Sequence, residues 1–332
     1  IWNPSAGTSL APYFLDFVPQ STKKISFASS FGVSKIDEKY YQLYKKYIDN
    51  LDAIAVREDD GVDLVKEISG REAKRVLDPT LLMSKEEWKE VIVDNSCVVH
   101  LKSRPYIIIY MLHESETLIN IANYLKEKLG LKVIMLTKRA YSNKSYSGIE
   151  IIEYAGPAEY IELFMSASFV LTNSFHGTAF ATNFNVPFFA ILNPERKNNS
   201  RMINFLKMTG LEDRIVWEDI KEMSLLDKYF ECDFIEASKI LDAEKKHGHG
   251  LRLSVVGGGC SGMNYNIAFD DKKGEFDKVY KSKGIDIYCD LQSWLYLKGT
   301  TIDFSDDILS GGFKISNPNA SRTCGCGTSF SV

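Results

Sequence analysis

The sequence lacks long apolar segments. No stretch approaches the about 18 uncharged apolar residues that a membrane-spanning helix needs, and the longest apolar runs, such as Tyr106–Leu112, have the length of buried strands. The N-terminal segment IWNPSAGTSL is not basic and no hydrophobic core follows it, unlike a secretion signal. We therefore expect no membrane span and a cytoplasmic location.

A strong charge imbalance is also missing, as are internal repeats and low-complexity tracts. The formal net charge of −4 gives no general electrostatic reason to bind nucleic acid, so we expect no nucleic-acid partner. With 45% hydrophobic and 25% charged residues, the composition is that of an ordinary globular protein. The length of 332 residues allows two or three domains.

Cysteine is sparse, with six residues in 332, which favours a reducing compartment over a disulfide scaffold. Three cysteines lie in glycine-rich settings: Cys260 in GGGCSG, and Cys324 and Cys326 in CGCG. Thiolates bind iron, and glycine lets the backbone bend closely around a metal. Three thiolates are one short of the usual four. Such a site must borrow a ligand from a partner subunit or a small thiol, and would hold an iron–sulfur cluster loosely.

The segment around these cysteines closely resembles the A-type, HesB-like iron–sulfur cluster carriers. The similarity covers about residues 249–332 and includes LRLSVV at 251–256, GGGCSGMNY at 257–265 and SRTCGCGTSFSV at 321–332. It implies a small, mostly β domain that accepts a cluster, 2Fe-2S or 4Fe-4S, from a scaffold protein and passes it to client apoproteins. It further implies a homo-oligomer through this domain, with the cluster shared between subunits. The family's opening strand and helix are only partly echoed, by Ala237–Lys246.

Through residue 230 the pattern alternates β-branched or aromatic runs with helical stretches, which is typical of parallel sheets with right-handed crossovers. The expected strands are Lys24–Ala28, Ala53–Arg57, Arg75–Leu77, Tyr106–Leu112, Lys132–Thr137, Ile149–Tyr154, Phe169–Thr172 and Phe188–Leu192. The expected helices are Glu38–Asn50, Asp60–Ile68, Glu116–Leu129, Pro157–Ser166, His176–Asn183 and Ser200–Met208.

Two interruptions divide this pattern into domains. The turn Asp78-Pro79-Thr80, followed by the polar Ser84–Lys89, separates two Rossmann-like units, and EKKHGHG at 244–250 forms a second junction. We predict an incomplete first unit at 1–83, a second at 84–243, a junction at 244–250 and the mostly β domain at 251–332. The fold class is therefore α/β, with two Rossmann-like (GT-B-like) units followed by a HesB-like domain.

His176 directly follows a buried strand in the run TNSFHGTAF. Ligands of open α/β sheets bind outside the carboxyl ends of strands, and helix N-termini attract anions. His176 can therefore meet a phosphate or carboxylate, or it can simply begin its helix, which Asn173 or Ser174 could cap.

Four motifs in this region together resemble the polysaccharide pyruvyl transferase family over about residues 1–243. They are FASSFGVSKI at 27–36, LDAIAVREDDGVDLV at 51–65, VLDPTLLMSKEEW at 76–88 and TNSFHGTAFATNFNVPFFAI at 172–191. The resemblance implies a fold like that of GT-B glycosyltransferases and transfer of a pyruvyl group from phosphoenolpyruvate to a saccharide acceptor, with no nucleotide cofactor.

The same resemblance assigns roles to individual residues. His176 matches the family histidine and would act as general acid or phosphate partner, and Arg57 matches a family arginine that would clamp an anion. Substrate-binding candidates are Asn173, Ser174 and Gly177. Arg201, which opens a helix near the same edge, and the pair Lys138-Arg139 are weaker candidates, and the alternative for these three is a solvated surface role. Many members carry an arginine where this chain has Ser174, so one cation must come from elsewhere.

The family's opening βαβ region is not present ahead of Trp2-Asn3-Pro4, so we expect impaired transfer activity. The chain then reads as a fusion of a transferase-like region with a cluster carrier, and whether it is an enzyme stays open. Two alternatives remain. One is a GT-B-like glycosyltransferase using a nucleotide sugar, and the other is a cluster carrier without catalysis of its own.

Overall fold

The structure is a computed structural model that describes most of the chain in two compact units, Ile1–Glu244 and Lys245–Val332. The described residues are 2–3, 10–92, 105–137, 145–153, 155–196, 199–246, 250–258, 262–270, 272–282, 285–305, 312–323 and 329–331. Among the helices in these ranges, none is both long and apolar enough to cross a membrane.

The first sheet of unit one has three parallel strands in the order β1-β2-β3. They are β1 (Ile25–Ser29), β2 (Ala53–Val56) and β3 (Lys74–Arg75), with the helices α1 (Tyr41–Asp49) and α2 (Asp59–Ser69) between them. The two helices bury one sheet face, where Ile54 and Val56 join an aromatic cluster around Tyr44. On the other face the side chains of β1 are exposed, including Ile25 and Phe27.

The second sheet has six parallel strands in the order β6-β5-β4-β7-β8-β9, so the chain winds outwards from β4 first to one side and then to the other. The strands are β4 (Tyr106–Tyr110), β5 (Lys132–Leu136), β6 (Ile149–Ile152), β7 (Phe169–Thr172), β8 (Phe188–Leu192) and β9 (Ile215–Trp217). The helices around it are α3 (Lys85–Val91), α4 (Glu116–Leu129), α5 (Pro157–Ser166), α6 (Phe175–Asn183), α7 (Ser200–Thr209) and α8 (Ile235–Lys246). This strand order is that of the Rossmann fold, with its switch point between β4 and β7.

Both faces of the second sheet are buried, because alternate residues of each strand point into two separate cores. On β4, Ile108 belongs to the core formed with α5, α6 and α7, whereas Ile107 and Ile109 belong to the core formed with α4. The predicted fold class, α/β with two Rossmann-like units ahead of a small, mostly β domain, is confirmed.

Three local features differ from the sequence expectation. The polar run at 84–89 is not a break but helix α3, which Ser84 and Glu87 begin with a capping box. Its Trp88 packs against the core of the second sheet. Strand β9 was not predicted. Helix α8 covers Ala237–Lys246, which in sequence partly resembles the start of the cluster carriers, yet its Ala237 and Leu241 belong to the core of unit one.

Unit two is mostly β. Its main sheet has the order β12-β13-β10-β11-β17-β16, and β14 and β15 form a separate hairpin. The elements are β10 (Gly250–Gly257), β11 (Met263–Asp270), β12 (Lys278–Ser282), β13 (Ile285–Cys289), α9 (Leu291–Leu297), β14 (Thr301–Ser305), β15 (Gly312–Ser316), β16 (Arg322–Thr323) and β17 (Ser329–Ser331).

Candidate functional site

The candidate site of unit one is built from loops at the carboxyl ends of strands in both sheets. Arg57 and Glu58 directly follow β2, Asp78 follows β3, and Phe175 and His176 follow β7. Parallel strands direct their carboxyl ends to one edge, which is where open α/β sheets bind ligands. The structure thus brings side chains from two separate sheets to one place.

Asp78 connects two of the predicted residues, Arg57 and His176. Its Oδ2 forms an ion pair with Arg57 Nη1 and lies 3.8 Å from His176 Nε2. Its Oδ1 accepts hydrogen bonds from the Thr80 amide and hydroxyl, at 3.0 and 2.7 Å. Asp78 is only 3% exposed, so this carboxylate has a fixed orientation. The result is a buried anion that holds a guanidinium beside a histidine.

A residue that accepts a hydrogen bond from Arg57 has an unusual backbone conformation. Arg57 Nε donates to the Ala28 carbonyl at 2.9 Å, and Ala28 has a φ of 52°, in the left-handed region. This conformation costs a non-glycine residue about 1–2 kcal/mol. Strained residues of this kind concentrate at ligand sites. The strained carbonyl and Asp78 together fix two sides of the Arg57 guanidinium.

Arg201, the second residue of α7, lies close to the same group. Its guanidinium carbon is 5.0 Å from the centre of the Phe175 ring, and that of Arg57 is 5.8 Å from the same ring. Arg201 Nε is buried without a hydrogen-bond partner in the described ranges. Burial and the charge of Arg57 lower the pKa of Arg201, opposed by Glu58 and Asp78. A half-buried guanidinium whose Nε has no partner is suited to an anionic ligand.

Glu58 is the second buried carboxylate of the site, at 1% exposure. Its Oε1 accepts from the Ser30 hydroxyl at 2.8 Å and from the Gly32 amide at 3.0 Å. Burial raises the pKa of Glu58, and these two hydrogen bonds together with Arg201 and Arg57 oppose that rise. The pKa of this carboxyl group is therefore higher than that of an exposed glutamate.

The His176 side chain is about half exposed, so it can reach a ligand from the edge of the site. Partial burial lowers its pKa, Asp78 raises it, and Arg57 and Arg201 lower it further. The imidazole is therefore more readily deprotonated than a free histidine, and any protonation that it undergoes depends on Asp78 or on a bound anion.

Three predicted substrate-binding residues are engaged within the protein. Asn173 Oδ1 accepts from the Leu112 amide and its Nδ2 donates to the His113 carbonyl, both at 2.8 Å, so the side chain joins the loops after β4 and β7. Ser174 Oγ accepts from the Gly177 amide as helix cap. A side chain at Gly177 would collide with Thr172. These residues shape the loop at the switch point and leave little for a ligand.

Sequence reasoning missed Glu58, Asp78 and Phe175. All three lie inside the motifs that carried the family resemblance, next to Arg57 or His176 or in the DPT turn. The signal was therefore present, but an acidic residue at a helix start and an aspartate before proline are ordinary features of exposed turns. Their burial is visible only in three dimensions.

The remaining predicted site residues lie outside the described residues: Cys260, Cys324, Cys326, Lys138 and Arg139. Within the described ranges there is no group of three or more His, Cys, Asp or Glu side chains placed to hold a metal ion.

The chain thus has an α/β region in which two sheets bring Arg57, Asp78 and His176 together, followed by a small, mostly β domain. The polysaccharide pyruvyl transferase profile matches residues 3–195, and the iron–sulphur cluster biosynthesis profile matches residues 236–328. The chain therefore belongs to the polysaccharide pyruvyl transferase family and carries a C-terminal domain of the iron–sulfur cluster biosynthesis family. Both resemblances seen in the sequence are confirmed.

Two curated relatives support the second match. An ErpA-type iron–sulfur cluster insertion protein of Burkholderia lata is 44% identical over 97 residues, which are 29% of this chain and 79% of the relative. The iron–sulfur cluster insertion protein ErpA of Francisella tularensis subsp. novicida is 39% identical over 104 residues, 31% of this chain and 90% of the relative. The crystal structure of IscA with a 2Fe-2S cluster is 32% identical, covers 28% of this chain and 90% of that one, and has a TM-score of 0.25.

Proposed function

We propose that unit one transfers a pyruvyl group from phosphoenolpyruvate to hydroxyls of a saccharide. One observation carries this proposal: Arg57, Asp78, His176 and Arg201 meet around Phe175 at the carboxyl edges of two sheets. Two guanidiniums match the two anionic groups of the donor, its carboxylate and its phosphate. Arg201 supplies the second cation that the sequence lacks at Ser174.

The reaction needs a proton donor beside these cations. When phosphoenolpyruvate forms a cyclic ketal with a diol, its central carbon gains two sugar oxygens and loses phosphate. Of the two hydroxyl protons, one is balanced by the proton that the methylene carbon gains when it becomes methyl, and the other leaves with phosphate. His176, held near Asp78, delivers a proton to the methylene carbon, and the two arginines stabilise the negative charge of the carboxylate and phosphate.

The proposal is tested by donor preference. Purified protein is titrated calorimetrically with phosphoenolpyruvate and, separately, with a panel of nucleotide sugars. We expect binding of phosphoenolpyruvate alone. Binding of a nucleotide sugar without phosphoenolpyruvate would favour the glycosyltransferase alternative instead.

His176 is tested by turnover. His176→Ala should lower phosphate release in the presence of an acceptor by about 10²–10⁴-fold, the usual contribution of a general acid. His113→Ala is the matched control, because this histidine follows β4 at the same sheet edge but interacts with Arg196 and Glu218 rather than with Arg57 and Asp78. Equal losses in the two variants would contradict the role of His176.

We further propose that unit two binds an iron–sulfur cluster as cargo through Cys260, Cys324 and Cys326, as a homo-oligomer, and passes it to client proteins. The described flanks of the two cysteine segments support this. Met263 pairs with Gly257 on one side and with Phe330 on the other, and Phe330 pairs with Thr323. Neighbouring strands lie about 4.8 Å apart, so this row of four residues spans roughly 14 Å. The residues that flank both cysteine segments therefore lie in one row across the sheet.

Anaerobic reconstitution with iron and sulfide tests this second function. The wild-type protein should gain visible absorption, and a serine at position 260, 324 or 326 should abolish or greatly weaken it. Cys289→Ser is the control, since Cys289 is buried and burial raises the pKa of its thiol to about 11, which disfavours the metal-binding thiolate. Equal cluster retention in all four variants would contradict the ligand assignment.

A further inference from the structure

Glu58 has an oxygen that the protein does not use. Its Oε1 accepts two hydrogen bonds, but Oε2 is buried and has no hydrogen-bond partner in the described part of the chain. An unpaired buried acceptor costs about 1–3 kcal/mol, and more when it is charged. The folded protein therefore loses stability by leaving this oxygen unpaired.

Glu58 Oε2 is not an isolated case. A small pocket that opens to solvent is lined by Glu58 and Asn204, together with Arg57 and Phe175. Asn204 lies on α7, one turn after Arg201, and its Nδ2 is buried and also lacks a hydrogen-bond partner in the described part of the chain. Two residues that line this pocket thus carry an unused acceptor and an unused donor.

A hydroxyl group is the complement of such a pair, because it donates one hydrogen bond and accepts others. An anion does not, because the Glu58 carboxylate repels it. Arg57 and Phe175 line this pocket and also belong to the proposed donor site. A hydroxyl in the pocket is therefore next to the donor. The unused pair therefore selects an alcohol, and the neighbouring cations select the donor.

We propose that Glu58 and Asn204 form the subsite for the attacking hydroxyl of the saccharide acceptor, with Glu58 as its general base. This inference rests on the proposed pyruvyl transfer. Burial, which favours the protonated form of Glu58, also makes it a stronger base than an exposed glutamate.

The step balances as follows. The hydroxyl oxygen forms a bond to the central carbon of phosphoenolpyruvate while its proton moves to Glu58 Oε2. The electron pair of the enol double bond moves to the methylene carbon, which takes a proton from His176. Phosphate then leaves with the electrons of its carbon–oxygen bond, and the second hydroxyl adds to the same carbon. That second hydroxyl proton restores His176, and the proton on Glu58 leaves with phosphate.

The test separates donor binding from acceptor chemistry. Calorimetry first gives the Kd of phosphoenolpyruvate for the wild type, Glu58→Gln and Asn204→Ala. Saturation-transfer NMR and phosphate release are then measured with methyl glycosides of glucose, galactose, mannose, N-acetylglucosamine and N-acetylmannosamine. The control is Glu67→Gln, the same change at an exposed position of α2.

We expect Glu58→Gln to keep the Kd of phosphoenolpyruvate within about threefold and to lower turnover by about 10²–10⁴-fold, with loss of the acid limb of the pH–rate profile. Asn204→Ala should raise the KM for the glycoside by about tenfold and leave donor affinity unchanged, as expected for one lost hydrogen bond. Glu67→Gln should match the wild type.

Three results would overturn the inference while leaving the transferase proposal in place. In the first, Glu58→Gln weakens donor binding as much as turnover, so that Glu58 only organises the arginines. In the second, turnover does not change, so that the pocket holds only water. In the third, no glycoside of the panel binds to protein saturated with phosphoenolpyruvate. A wild type that does not bind phosphoenolpyruvate would instead remove the proposed function, and this inference with it.

Discussion

Asp78 uses its two carboxylate oxygens for different tasks. One oxygen begins the turn at Pro79 and Thr80, and the other holds Arg57 and lies near His176. A residue that would form an ordinary capped turn thereby sets the charge around the histidine. Its effect on the pKa of His176 can be measured by NMR at one imidazole proton.

Asp78→Asn should lower the pKa of His176 further below that of a free histidine. The negative charge of Asp78 favours the imidazolium form, so its removal leaves burial and the two arginines, which all favour the neutral ring. An NMR titration of the imidazole Cε1 proton measures this pKa.

Asp59→Asn serves as the control for that titration, since Asp59 pairs with Arg75, 3.1 Å away, whereas the charges that act on His176 are those of Asp78, Arg57 and Arg201. A His176 pKa that rises in Asp78→Asn, or that moves equally in both variants, would contradict the electrostatic role of Asp78.

Gly177 is needed for steric reasons. A Cβ there would lie 3.0 Å from Thr172 Cβ and closer still to its Oγ1, a hydroxyl that donates to the Tyr110 carbonyl at 2.7 Å. Gly177→Ala should therefore destabilise unit one by about 1–3 kcal/mol through overpacking, measured by urea unfolding.

Gly257→Ala provides the comparison for this change, because nothing lies within 4 Å of a Cβ at that position. Its stability should stay close to that of the wild type. A tolerated Gly177→Ala would show that the helix α6 can move away from β7, and that the tight contact does not fix the loop before His176.

At the scale of elements, the sequence predicted best where end signals are strong. The bounds of α4 match the prediction because Ser115 caps its start and Gly130 ends it with a φ of 65°. The bounds of α5 match because Pro157 stands at its first position. Strand β9 has three residues and pairs only with β8 in the described sheet, so it is too short to leave a periodic pattern.

The site was predictable only in part. Arg57 and His176 could be proposed because they follow buried strands and match motifs of the family, and Arg201 because it opens a helix near the same edge. Glu58 could not be predicted, because its burial depends on Ser30 and Gly32, which are 28 and 26 positions away in the chain. Long-range contacts of this kind have no local sequence pattern.

Helix α8 gives a prediction at the element scale. Leu241 is 3% exposed in the core of unit one, so Leu241→Ala should cost unit one about 2–5 kcal/mol. Denaturant unfolding of the wild type and of the variant measures this loss of free energy of unfolding.

The same helix contains its own control. Ile235 is 63% exposed, and Ile235→Ala should change the free energy of unfolding by no more than about 0.5 kcal/mol. A Leu241→Ala variant as stable as Ile235→Ala would mean that α8 does not support unit one.

At the scale of the whole molecule, the two proposed functions use separate residues, since the proposed donor site lies within residues 57–204 and the proposed cluster ligands lie beyond residue 259. We expect the Kd of phosphoenolpyruvate to be the same within about twofold for the cluster-free and the reconstituted protein. Paired calorimetric titrations measure it.

Linkage makes this comparison informative in both directions. A tenfold change in donor affinity would correspond to about 1.4 kcal/mol of coupling and would require the donor to change cluster affinity by the same factor. Such a result would contradict independent units and would give the fusion a regulatory meaning.

The position of α8 limits how this gene could have been assembled. The cluster-biosynthesis profile begins at residue 236, yet Ala237 and Leu241 are packed in the core of unit one. A recombination event that exchanged the C-terminal module at the profile boundary would have replaced a helix on which the neighbouring core depends. A crossover after Leu241, or an incoming helix with small and leucine-sized residues at the same two positions, would keep this core packed.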